Sequence, residues 1–175
     1  MKKLLFYFAI TGWALALIVH ALSIADFDIR DNVPFVWVLH FGVFVVWLPT
    51  VLILNKIEEL NENQQSGILN RLNPFGFVKT ICKQTPTWIT VIAIGGFIYN
   101  MFNFWLFKAS VQGGPDIMDG QYILQNHGKL IAYLTEQEYH HYRANEVRFF
   151  SGFWLAFYGI AAAVLFPFKR QSKCD

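Results

Sequence analysis

Residues 134–166 read LTEQEYHHYRANEVRFFSGFWLAFYGIAAAVLF, a run that begins in water-soluble chemistry and ends in hydrocarbon chemistry. Thr135 with Glu138 three positions on has the form of a capping box, and Glu136 adds negative charge at the positive end of the helix dipole. No glycine or proline intervenes before Gly152. A helix from Thr135 to Phe168 is about 50 Å long at 1.5 Å per residue, whereas bilayer hydrocarbon is about 30 Å thick. The stretch therefore predicts one helix in two solvents: a span over Phe149–Phe168, and roughly four turns standing outside as a stalk.

Working outward from it, three more runs are long enough to cross a bilayer: Leu4–Ile24, Pro34–Leu54 and Trp88–Phe107. None of the four holds Asp, Glu, Lys or Arg in its interior. With 55% apolar and 15% charged residues, the chain is too apolar for an ordinary soluble domain, and the expectation is an all-α polytopic membrane protein built as a four-helix bundle. An even number of spans puts both termini on one side. That side carries Lys2, Lys3, Lys56, Arg71, Lys79, Lys83, Lys169, Arg170 and Lys173, and the other side most of the acids. The positive-inside rule places the termini and the 55–87 loop in the cytoplasm of a plasma or bacterial-type inner membrane. Lys2-Lys3 and Ser23-Ile24-Ala25 imitate a cleaved signal, but the intervening apolar run has the length of a retained helix.

Several function classes drop out. A net charge of +2 gives no support to nucleic-acid binding. Cys82 and Cys174 both fall on the predicted cytoplasmic side, where thiols stay reduced, so a disulfide-making membrane oxidoreductase is excluded. No nucleophile elbow, phosphate loop or carboxylate pair lies in a span, and the reading leans away from an enzyme. Intramembrane acids are also missing, which argues against an ion-coupled transporter. The amphipathic, cationic stretch 68–86 of the inner loop reads as an interfacial segment, and the 169–173 tail as an orientation signal that touches anionic lipid.

The outer segment 108–148 opens with Gly113-Gly114-Pro115, read as a chain breaker. "GQYILQ–NHGK–LIAYL" then suggests a two-stranded hairpin around Asn126-His127-Gly128, resting on the outer membrane surface and packed on the stalk. His127, Asp116 and Asp119 read as turn residues.

Polar residues within the spans must face protein or water. His20, His40, Asn100 and Asn103 lie at similar depth near the outer ends of the first three spans. Stripes of small residues continue into three of them: Ala9, Gly12, Ala16, His20 on the first span; Ala93, Gly96, Asn100, Asn103 on the third; and Gly152, Ala156, Gly159, Ala163 on the fourth. Extending the last stripe upward reaches Arg148, Asn145 and His141. The expectation is an outer-leaflet polar pocket of His20, His40, Asn100, Asn103 and Arg148, with Asn145 and His141 above it. Arg148 would offer bidentate donors to a lipid headgroup, a quinone or a partner's side chain. The bland alternative is that these groups only fix helix register. A haem held by His20 and His40, or a metal held by them with Glu146 or His141, is the cofactor alternative, although the spacing carries no metal motif. On the stalk, Tyr139, Tyr142, Arg143 and Glu146 form the candidate protein-docking face, with Arg143 and Glu146 expected to pair with each other.

These features together point to a non-enzymatic binding or accessory protein with a periplasmic recognition surface, able to form homo-oligomers through its small-residue stripes. Its topology is broadly similar to that of immunity proteins against pore-forming bacteriocins, which would imply a toxin as the partner.

Overall fold

The computed structural model describes residues 1–61, 85–110 and 112–167. Most of the inner loop, both cysteines and the cationic tail lie outside these residues. Among these residues, four helices are long and apolar enough to span a membrane: α1 (Lys2–Ile24), α2 (Val38–Asn61, entered through a 3-10 turn at Pro34–Trp37), α3 (Thr87–Ser110) and α4 (Glu136–Leu165). A three-stranded antiparallel sheet, β1 (Gly114–Met118), β2 (Gln121–Asn126) and β3 (Lys129–Tyr133), lies between α3 and α4 in the chain.

The capping box forms as its spacing requires. The Glu138 amide donates to Thr135 Oγ1 at 3.3 Å, and the Thr135 amide donates to Glu138 Oε2 at 2.8 Å. At its far end α4 stops at Leu165, ahead of Pro167, because the residue before a proline is driven out of helical geometry. Pro49 lies inside α2, and the Thr50 hydroxyl beside it donates to the Val46 carbonyl at 2.7 Å.

The helices are not four equal members of a ring. α4 is 72% buried over its most apolar stretch, against 33%, 28% and 28% for α1, α2 and α3. It is the central mast, and the other three pack around it with their outer faces apolar and exposed. The cause is in its sequence: Gly152, Ala156, Gly159 and Ala161 to Ala163 supply small residues around the helix, so neighbours can approach from several sides. The small stripes meet there. Gly159 faces the Ala93 backbone and Trp13, and Gly152 faces Asn100 and Asn103. α2, which has no such stripe, is reached by Tyr158. Its ring lies over Gly12 of α1, and its hydroxyl passes Gly42 to donate to the Leu39 carbonyl at 2.8 Å.

The sheet corrects the expected hairpin. Gly114 and Pro115 are strand residues rather than a breaker, because β1 is an edge strand and proline is tolerated there. Asp119 and Gly120, with φ of 52° and 77°, form a two-residue turn with both central residues at positive φ, and His127 and Gly128, at 50° and 82°, form another. The sheet packs on the stalk as expected, with Tyr122 stacked on Tyr139 at 4.6 Å and Gly114 beside Glu146.

Candidate functional site

Two polar groupings occupy the sheet-bearing end of the bundle. The lower one begins at His20, buried on α1. Its Nε2 lies 2.6 Å from the Tyr99 hydroxyl of α3 and its Nδ1 lies 2.7 Å from Ser151 Oγ of α4. Ser151 in turn donates to the Arg148 carbonyl at 3.1 Å. One assignment satisfies every group: Tyr99 donates to Nε2, Nδ1–H donates to Ser151, and Ser151 donates to the carbonyl. Asn103 Nδ2 donates to the same carbonyl at 3.2 Å. Asn100, 2% exposed, lies against Gly152, with its Oδ1 buried and without a hydrogen-bond partner among the described residues.

The Arg148 side chain is half-buried and within electrostatic reach of His20 and Tyr99. Its guanidinium has no hydrogen bond or ion pair among the described residues. The structure thus brings together His20, Asn100, Asn103 and Arg148 from the expected layer, and adds Ser151 and Tyr99. A tyrosine in an apolar span reads as an interfacial aromatic, and only the phase of His20 against α3 could have singled it out.

His40 stands apart. Its Nδ1 accepts from Trp154 Nε1 at 3.0 Å, and its ring meets the edges of Phe44, Phe150 and Trp154. With both nitrogens of His20 already hydrogen-bonded and His40 held in this aromatic nest, the two imidazoles serve separate neighbourhoods.

The upper grouping was not foreseen. The loop from Asp26 to Val33 folds onto the stalk, turning where Asp26 takes a φ of 59°. Asp28, whose side chain is 5% exposed, accepts from Arg143 Nε at 2.9 Å and pairs with His140 Nδ1 at 3.0 Å. Asp31 accepts from Arg143 NH2 at 2.9 Å. Asp26 pairs with His141 Nδ1 at 2.8 Å, while the other nitrogen of His141 meets Asn145 Nδ2 at 2.8 Å. Arg30 NH1 reaches Glu146 Oε2 at 3.0 Å. Arg143 and Glu146 therefore do not pair with each other as expected: each is taken by the loop, whose charges offer closer partners than the i,i+3 geometry does.

This clasp also changes the docking face. Tyr139 is sandwiched between Tyr122 and the Arg143 guanidinium, 5.4 Å from its ring centre. Tyr142 is half-buried with its ring against His141. Much of the surface expected to capture a partner is thus committed within the chain. Among the described residues, Asp28, Asp31 and His140 are the group whose donor atoms lie close enough, within 4.8 Å, to share a cation. Arg143 already occupies that position, with its guanidinium on both carboxylates. The signal for the clasp was the "ADFDIRDNV" loop itself, whose acids complement His140, His141 and Arg143. The charges of either element alone do not reveal pairs more than a hundred residues apart.

Compared with protein-family models, curated proteins and solved structures, the chain matches none.

Proposed function

We propose that this chain is an integral membrane binding protein without catalytic activity, with both termini cytoplasmic and the sheet and clasp on the opposite, periplasmic side. Its lower polar grouping holds the anionic headgroup of a phospholipid through Arg148. One observation carries the reading. Arg30 and Arg143, at the same end of the bundle, are committed to carboxylates, whereas the half-buried Arg148 guanidinium has no partner among the described residues. It sits at the top of the apolar part of α4, where phosphates of the outer leaflet lie, and a guanidinium fork matches their geometry. The Tyr99–His20–Ser151 chain and Asn103 fix the backbone beneath it. The predicted cationic inner loops support the orientation.

The test is native mass spectrometry of the protein released gently from membranes containing neutral and anionic phospholipid. Anionic lipid should be retained preferentially, and Arg148→Gln should abolish the preference. Equal retention of both lipid classes, or a preference undiminished in Arg148→Gln, would overturn the reading.

A further inference from the structure

The β2–β3 turn has a position that the lower polar grouping does not use. Two contacts fix how the sheet stands beside the stalk: Tyr122 on Tyr139, and Gly114 beside Glu146. Seven residues of α4 separate those levels, about 10 Å at 1.5 Å per residue. The register pairs Ile117 with Tyr122 and Gly114 with Gln125. The Asp119–Gly120 turn is therefore at the far end, and the His127–Gly128 turn points back toward the apolar part of α4. That part begins at Phe149, within one helical turn of Glu146, and is level with the last turn of α3, where Phe107 stacks on Phe149 at 4.4 Å.

The residues at this near end have the chemistry of an interface. Leu130 and Ile131 are exposed, and Lys129 and His127 flank them. The turn is rigid: both central residues have positive φ, and the Gly128 amide donates to Gln125 Oε1 at 2.7 Å. Phe102, Phe104 and Trp105 of α3 are exposed, and Lys108 in its last turn adds a second cation.

We propose that residues 126–131 are a membrane-surface anchor. Leu130 and Ile131 enter the headgroup layer of the leaflet that α3 and α4 leave, and Lys129 neutralises lipid phosphates there. The occupant is the phospholipid surface because α3, with its exposed apolar residues, ends at Ser110, four residues before Gly114, which pairs with Gln125 beside this turn. Ile117, Met118 and Tyr133 are more exposed still, but they lie at the far end of the sheet, away from the end of α3. The proposal rests on the membrane reading of the four helices and is independent of what Arg148 binds.

The experiment uses the full chain in nanodiscs, with Cys82 and Cys174 changed to Ser and the fluorophore NBD attached at Leu130→Cys or, as the control, Met118→Cys. The label at 130 should emit further to the blue and be quenched by spin-labelled lipid about threefold more than the label at 118, as expected for a group at headgroup depth. Raising the phosphatidylglycerol content should deepen the quenching at 130, and Lys129→Glu should remove that dependence. Equal quenching at the two positions, or stronger quenching of 130 by aqueous iodide than of 118, would overturn the proposal. Neither result bears on lipid retention by Arg148, so the two proposals fail separately.

Discussion

Tyr158 and Gly12 make one contact from two helices, and the contact has no slack. A methyl group at Gly12 would lie 2.5 Å from the Tyr158 ring, which its hydrogen bond to Leu39 holds in place. Gly12→Ala should therefore lower stability by about 1–3 kcal/mol, the usual cost of overpacking. Gly95 is the matched control, because nothing lies within 4 Å of the position a methyl group would take. Gly95→Ala should be neutral or stabilise by up to about 1 kcal/mol through helix propensity. Thermal unfolding in detergent compares the two, and a Gly12→Ala protein as stable as the parent would refute the close packing. His20 belongs to this scale as well. Its depth and phase were readable from the sequence, but Tyr99 and Ser151 were not, because nothing local marks a span tyrosine or serine as a histidine's partner.

At the scale of elements, the clasp and the cap of α4 give predictions of different size. Asp28 is buried and meets Arg143 and His140, so Asp28→Asn leaves cationic groups short of their counter-charge. The expected loss is about 3 kcal/mol, as for a broken buried pair. The Asp26–His141 pair has both side chains more than half exposed, and Asp26→Asn should cost less than about 1 kcal/mol. Denaturant titration of the two variants in detergent orders them, and equal effects would mean that the clasp contributes little. Glu138 reports on pH. Hydrogen bonds from the Thr135 backbone and side chain hold its carboxyl below the ordinary glutamate value. A depressed carboxylate contributes stability above its unfolded value, and that contribution is lost as pH falls through the folded value. The protection of the first-turn amides of α4, measured against their intrinsic exchange rates, should therefore fall below about pH 4 in the parent, and this acid-induced step should disappear in Glu138→Gln. The cap was legible because its parts lie three residues apart. The third strand was hidden by weighting Gly114-Pro115 as a breaker over Asp119-Gly120, which is itself a strong hairpin signal.

At the scale of the whole molecule, the four spans were legible because hydropathy over some twenty residues depends on composition alone. The small-residue stripes on α1, α3 and α4 were legible as faces. Their convergence on α4 was not, since three stripes are compatible with a ring or with a dimer until the surroundings of each helix are known. The glycines and alanines all round α4 were the available clue. The proposed orientation is tested by labelling single cysteines in intact cells with a membrane-impermeant maleimide. A cysteine at His127 should react and one at Lys3 should not, and the reverse pattern would invert the topology.

The central place of α4 also dictates an order of events during synthesis. The mast of the bundle leaves the ribosome after the three helices that pack on it. Until it arrives, α1, α2 and α3 have inserted with their small and polar faces lacking their main partner, and the Asp26–Val33 loop has no stalk to grip. Assembly in the membrane thus waits on α4, so a truncation after Ser110 would remove the common partner of the three helices made before it.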